Sequence, residues 1–343
     1  MTWIPLLLSH PSPCFRHLVL TKLLERGDDD LEVRETAELR DEDPLLLELA
    51  DLQEQNGSWS TLSKMLPPKG HRMVTTSVAL SLLGMLGFGP EHPVVDKGAA
   101  YIFDRQRKDG SWPIPRGVKD AGTDRYTIMS IQTSIPLQGL SAAGYAEDPR
   151  SISAYRWLLE QRLQDGAWPT GLAGKVYGYV AGYRRMSHSR WGCRINTTSA
   201  LICFSRHPEM RSSEEARKAL DLLLGRETRE IREFGHEISR LMGAVSTGGF
   251  LTFHRHFDIV LILNLCAGIG AHIDDPRVES LVKFIKDRQN PHGLWIPPGY
   301  PHMAHWVTLD LLLSLRKLDE NTGWTTMEPR TPFSPYPTNR KRF

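Results

Sequence analysis

The stretch that decides the fold is Gln106-Arg107-Lys108-Asp109-Gly110-Ser111-Trp112-Pro113, because its pattern recurs along the chain. Related phrases stand at 55–59, 161–169 and 289–295, and each joins a glutamine, a glycine and a tryptophan. Successive tryptophans of the four phrases are 53, 56 and 127 residues apart. The last interval is about two periods long, so the sequence predicts a degenerate copy near 220–225. A fixed period of this length indicates a repeat architecture.

Each phrase stands between two kinds of helix. A helix with one apolar stripe precedes it, as over 99–107 and 151–163, and the glycine then ends that helix in a left-handed conformation. A second segment follows, apolar on all sides and with threonine or serine near its start, as over 74–83 and 196–202. Fully apolar helices are buried, whereas striped helices cover them. The alternation predicts an all-α fold, an α/α toroid of the α6/α6 type with inner and outer rings.

The Gln-x(2–5)-Gly-x-Trp phrase resembles the QW motif of squalene–hopene cyclases and related terpenoid cyclases. Their catalytic domains share the α/α toroid with the β subunits of protein prenyltransferases. The segment 11–33 also resembles the start of single-toroid bacterial "prenyltransferase/squalene-oxidase repeat" proteins. The resemblance covers roughly residues 44–317 and implies a hydrophobic substrate, isoprenoid or polycyclic, bound in the central cavity.

Composition narrows the class of protein. Lys plus Arg number 42 and Asp plus Glu 40 in 343 residues, so positive and negative charges nearly balance. A chain without an excess of positive charge is not expected to bind nucleic acid. Four scattered cysteines form no disulfide framework, and no apolar stretch approaches the ~20 residues of a membrane span. We expect a cytoplasmic protein, a monomer or a homodimer. Its predicted parts are an acidic helical lead-in over 1–43, the toroid over 44–318 and an irregular basic tail over 319–343.

The candidate site lies where the inner helices begin. Their N-terminal ends point toward the mouth of a toroid's cavity, and their unpaired N–H groups favour anions there. Histidine, arginine and aspartate are concentrated in these short segments. The predicted catalytic residues are His254, His256, Asp258 and His305. The predicted substrate-binding residues are His71, Arg72, Asp124, Arg125, Tyr126, Cys193, Asn196 and Trp306.

The resemblance also sets expectations for the chemistry. The Asp-x-Asp-Asp acid of the cyclases has no counterpart: 28–30 lies in an acidic run before the repeats, and 274–275 opens an outer helix. Prenyltransferases hold zinc with an Asp-x-Cys pair and a histidine. Here His254, His256 and His305 take those places and would leave one zinc position open. Asp258 would then orient one imidazole.

Three interpretations of these histidines follow: zinc ligands, metal-free acid–base groups near neutral pH, or hydrogen-bonded structural residues. The function predicted first is a cyclase- or prenyltransferase-like enzyme acting on a hydrophobic small molecule. One alternative is a polysaccharide lyase, whose α/α barrel would present an open groove lined with tryptophan and charge. The other is a non-catalytic binding or scaffold toroid.

Overall fold

The computed structural model describes residues 3–64, 71–112, 130–169, 192–227, 234–242 and 258–321. These residues form an all-α fold, with an isolated antiparallel bridge between Pro169 and Gly192. Within the same residues, no helix combines the length and apolarity needed to cross a membrane. The helices in chain order are α1 (Trp3–Leu8), α2 (Pro13–Leu18), α3 (Leu31–Glu38), α4 (Pro44–Leu52), α5 (Arg72–Met85), α6 (Pro93–Phe103), α7 (Ser130–Ala142), α8 (Pro149–Glu160), α9 (Arg194–Ser205), α10 (Glu214–Glu227), α11 (His236–Leu241), α12 (Ile259–Ile269), α13 (Pro276–Lys286) and α14 (Ala304–Glu320).

The four tryptophans tie each outer helix to the inner helix that follows it. Each indole N–H donates to the carbonyl ten residues earlier, near the end of the outer helix. The acceptors are Leu49, Ile102, Leu158 and Ile285, at 2.7, 2.9, 2.8 and 2.7 Å. Each tryptophan backbone N–H donates to a threonine hydroxyl on the next inner helix. These are Thr76, Thr133, Thr197 and Thr308, at 3.1, 3.3, 3.0 and 2.9 Å. All four tryptophans are buried, so they act as structural ties.

The glycine and glutamine of the phrase fix the turn between the two helices. Gly110 has φ +89°, and a Cβ built on it would lie 2.4 Å from the Ser153 carbonyl oxygen on α8. Gln106 donates to the carbonyls of Gly110 and Arg150, at 3.0 and 2.8 Å. The motif therefore also binds its outer helix to the next one. In the first copy the glutamine that makes these bonds is Gln53, not Gln55 of the sequence phrase.

The inner helices contact one another in the order α5, α7, α9, α12 and α14, and α6, α8, α10 and α13 pack outside them. At the start of the chain, α1 and the π-helical turn Val19–Leu23 contact α14. Arg316 on α14 donates to the Lys22 carbonyl at 2.6 Å, and Trp306 packs against Phe15 with ring centroids 4.8 Å apart. The described part of the chain therefore has five inner helices with four outer helices packed against them, an all-α arrangement consistent with the predicted α/α toroid.

The region of the degenerate copy is helical. Residues 220–225 lie inside α10, where Leu220, Leu223 and Leu224 face the core. Gly225 therefore does not form a turn like that of Gly110. The buried Phe234 follows the end of α10 by seven residues, as Trp59 follows the end of α4. An aromatic residue thus packs at the position along the repeat where the other copies have tryptophan.

Candidate functional site

One face of α12 is open. Its half-buried and exposed positions are Leu261, Asn264 and Gly268, three and four residues apart, and the remainder of the helix is buried. This spacing places all three on one side of a helix. Because α9, α14, α10 and α13 pack around the other sides, the open face looks into the interior of the ring. Asn264 is the exposed residue of the three, in the middle of an inner helix.

Asp310 of α14 contacts Asn264 on the neighbouring helix α12. The Asn264 side-chain amide donates to Oδ1 of Asp310 at 3.2 Å. Asp310 shares its helix face with the half-buried Leu313 and Lys317, at i+3 and i+7. Both members of the pair stand five or six residues into their helices, which is about 8 Å below the helix starts at 1.5 Å per residue. The pair lies inside the ring rather than at its mouth.

The environment of Asp310 favours its protonated form. The pKa of this carboxyl rises from 3.8 to about 7, mainly because surrounding protein desolvates it and also because the Asp258 carboxylate is nearby. The Asn264 hydrogen bond and the Arg206 guanidinium act in the opposite direction. Asp310 is half-buried. A carboxyl with a pKa near 7 can both donate and accept a proton at neutral pH.

Asp258, predicted as a second-layer carboxylate, is the N-cap of α12. Its Oδ1 accepts hydrogen bonds from the backbone N–H groups of Val260 and Gly235, at 2.9 and 3.2 Å. The residue is fully buried. It therefore starts α12 and anchors the segment before α11, while its charge acts on Asp310.

His305 and Trp306 lie where α14 contacts His10 and Phe15 near the start of the chain, a contact region called the seam below. The His305 ring is 5.3 Å from the ring of His10 and 6.3 Å from that of Phe15, measured between centroids. Burial lowers the pKa of His305, which favours the neutral imidazole. Trp306 is buried against Phe15. Both residues pack the start of the chain onto α14.

Cys193 and Asn196 are buried at the start of α9. The Cys193 backbone N–H donates to the Trp168 carbonyl at 2.7 Å, and burial raises the pKa of its thiol to about 11. Asn196 accepts from the Ile131 N–H at 3.0 Å and donates to the Pro169 carbonyl at 2.7 Å. These bonds join α9 to α7 and to the turn after Trp168.

His71 and Arg72 begin α5. The imidazole of His71 caps the helix by accepting from the Met73 N–H at 3.3 Å, and the exposed Arg72 pairs with Glu54 at 3.2 Å. The remaining predicted residues lie outside the described part of the chain: Asp124, Arg125, Tyr126, His254 and His256. Among the residues that the structure does describe, no three His, Cys, Asp or Glu side chains come together as metal ligands. The zinc site over His254, His256 and His305 stays a prediction.

Sequence reasoning missed Asp310 and Asn264, although a signal was present. Asn264 is the one polar side chain of α12, and Asp310 is a carboxylate followed directly by three leucines in the middle of α14. A lone carboxylate in such a helix is costly unless it is paired or serves a function. The sequence placed the predicted site at the starts of the inner helices, whereas Asn264 and Asp310 stand in the middle of α12 and α14.

No known family model matches the chain, and no curated protein matches its sequence. Among solved structures, a protein from Actinoplanes aligns with a TM-score of 0.45 and 17% identity, over 90% of each chain. A variant of the type II terpene cyclase MstE from Scytonema, in complex with geranylgeranyl dihydroxybenzoate, aligns with a TM-score of 0.30 and 14% identity. That alignment covers 80% of this chain and 95% of that chain. Structural similarity at this level does not indicate a function for this chain.

Proposed function

We propose that the chain is an enzyme that performs acid–base chemistry on a hydrophobic, isoprenoid-like small molecule held inside the ring. Asp310 is the proton donor and acceptor, and Asn264 orients its carboxyl group. The observation that carries the proposal is Asp310 itself, a carboxyl with a pKa of about 7 facing the ring interior. Strongly shifted carboxyls in enclosed, accessible places are typical of enzyme active sites.

The surroundings of the pair favour an apolar substrate. Leu261 and Leu313 line the same open faces as Asn264 and Asp310. An apolar substrate filling this space would exclude water and keep the carboxyl protonated. The four tryptophans are buried and line no groove, so nothing in these residues favours the polysaccharide lyase alternative.

An isomerisation fits these residues. Asp310 would donate its proton to one carbon or oxygen of the substrate, and the resulting carboxylate would take a proton from a neighbouring carbon. The composition of the substrate is unchanged, and no oxidant or other reactant is needed. The Asn264 N–H bond holds the carboxylate during the interval between the two transfers. His254 and His256 precede α12 in the sequence and remain predicted participants.

The experiment incubates the full chain in D₂O with farnesol, geranylgeraniol and squalene epoxide, and follows isomers and deuterium uptake by mass spectrometry. We expect conversion or exchange of at least one probe by the wild type. Asp310→Asn should lower the rate about 10²–10⁴-fold, the usual contribution of a general acid–base residue. Asp319→Asn, an exposed position of the same helix, is the matched control and should leave the rate unchanged. Activity that survives Asp310→Asn would exclude this mechanism, and a wild type inert toward every probe would favour the scaffold alternative.

A further inference from the structure

The short helix α11 links inner helices that are not neighbours. It is six residues long, about 9 Å at 1.5 Å per residue, and it contacts both α12 and α5. The inner helices contact one another in the order α5, α7, α9, α12 and α14, so α7 and α9 stand between α5 and α12 in this series. A helix of this length can touch both α12 and α5 only if the series curves round and α11 crosses from one side of it to the other.

The start of α11 is fixed beside Asp310. The backbone N–H of Gly235, directly before α11, donates to Oδ1 of the buried Asp258 at 3.2 Å. Gly235 has φ +72°, and a Cβ built on it would lie 2.9 Å from Cβ of Pro297 and 3.2 Å from Cγ2 of Val307. Val307 stands three residues before Asp310 and therefore on the same side of α14. The helix α11 thus begins about one turn from Asp310, on the side of the helix start.

The far end of α11 is held by apolar packing. Leu241 and Met242 follow Ile238 by three and four residues, so the three lie on one side of the segment, half-buried against the core. The hydroxyl of the buried Ser239 donates to the Gly235 carbonyl at 2.8 Å, within the same segment. A hydrogen bond to a carboxylate and close backbone packing therefore fix one end, whereas partly exposed apolar side chains hold the other. Short elements held in this way open locally more readily than buried helices do.

We propose that α11 is a gate over the Asn264–Asp310 pair. Gly235 is its hinge, and the end at Leu241 moves. Asn264 is exposed although it stands in the middle of an inner helix, so solvent reaches the pair. The helix α11 lies on the approach from the helix starts, since it begins next to Asp310 and crosses to α5. This inference rests on the proposed function and adds control of access to its site. The alternative is that α11 is a fixed part of the core.

The test measures access to position 264 with thiol reagents, so it needs neither a substrate nor turnover. All four native cysteines of the chain are buried, which makes the introduced thiol of the parent variant Asn264→Cys the accessible one. The probes are iodoacetamide, a small reagent, and fluorescein maleimide, a bulky one. Adding Leu241→Asn should raise the rate with the bulky reagent about ten-fold or more, because losing the apolar contact shifts α11 toward its open state. The rate with iodoacetamide should change much less.

A matched control separates opening of α11 from a general loss of stability. Leu159 is also a half-buried leucine packed against the core, on the outer helix α8, and Leu159→Asn should leave both rates as in the parent. Hydrogen exchange gives a second measurement. In Leu241→Asn the amide of Met242, bonded to the Ile238 carbonyl at 3.0 Å, should exchange faster than in the parent. The amide of Ile262 in α12 should not.

The outcomes also separate this proposal from the catalytic one. Asp310→Asn should abolish turnover and leave the labelling of position 264 unchanged, so failure of the catalytic proposal is distinguishable from failure of the gate. A bulky-reagent rate that is the same in Leu241→Asn as in the parent, or that rises equally in Leu159→Asn, would overturn the gate. If Leu241→Asn does not fold, Met242→Asn replaces it and the same outcomes decide.

Discussion

The side-chain amide nitrogen of Asn264 lies 3.2 Å from a carboxylate oxygen of Asp310, and this bond joins the adjacent inner helices α12 and α14. Leu261 and Leu313 flank the pair on the two helix faces, so each of its members has the other as a polar partner. The pair places a titratable group in the middle of two inner helices. Asp310 therefore affects both the stability of the fold and the proposed chemistry.

Asp310→Asn should stabilise the protein at alkaline pH. The pKa of Asp310 is raised from 3.8 to about 7 in the folded state, so ionising it on going from pH 4 to pH 7 costs stability. The full shift is reduced for a side chain with some open surface, and we expect about 2 kcal/mol of extra stability at pH 8. At pH 3 the variant and the wild type should be nearly equal. Urea unfolding at both values checks this, and a gain of the same size at pH 3 would contradict it.

Alanine at two glycines should have opposite effects. Gly110→Ala places a Cβ 2.4 Å from the Ser153 carbonyl oxygen at φ +89°, and should destabilise by about 2 kcal/mol or more. Gly225→Ala is the matched control inside α10, where a Cβ would meet nothing within 4 Å. It should stabilise by about 0.5–1 kcal/mol. Equal effects at the two sites, measured by thermal or urea unfolding, would mean that the repeat turn is not as described.

Thr197→Val should weaken the tie between an outer and an inner helix. The change removes the hydroxyl that accepts from the Trp168 backbone N–H at 3.0 Å and leaves a buried donor without that acceptor. The expected cost is about 1–3 kcal/mol of unfolding free energy, measured by urea unfolding. Thr21→Val is the control, since its hydroxyl donates to the His17 carbonyl in the same helical segment. That change should stay within about 0.5 kcal/mol.

The seam at the start of the chain should weaken in acid. Burial, and then the neighbouring His305, lower the pKa of His10 from 6.5 to about 4. A histidine with a lowered folded pKa contributes stability that is complete above pH 6.5 and is lost as the pH falls toward 4. His10→Gln should therefore reduce the loss of stability between pH 7 and pH 4. The exposed His302→Gln should leave that loss as in the wild type. Equal curves for His10→Gln and the wild type would show that the seam does not titrate.

The fold was predictable because its signal is local. The glycine and tryptophan of each phrase act within one turn, through a positive φ and a carbonyl ten residues earlier, so spacing in the sequence maps directly onto contacts. The glutamine was assigned to Gln55 rather than Gln53 because the phrase alone does not show which side chain reaches the next outer helix. The packing of the first residues against α14 also joins parts of the chain that are far apart in the sequence.

The candidate site was less predictable because its contacts join residues that are far apart in the sequence. Cys193 and Asn196 stand at a helix start as expected, but their hydrogen-bonding groups are used by neighbouring segments. Asp310 and Asn264 are separated by 46 residues in the sequence. Their meeting depends on which faces of α12 and α14 point toward each other, and spacing within either helix does not show that.

The most direct test of the central claim is the pKa of the Asp310 carboxyl, measured by NMR of the chain labelled with ¹³C at the aspartate side-chain carboxyl carbon. We expect one aspartate resonance that titrates near pH 7 in the wild type, is absent in Asp310→Asn and is retained in Asp319→Asn. A wild type in which every aspartate titrates below pH 5, or a resonance near pH 7 that persists in Asp310→Asn, would contradict it.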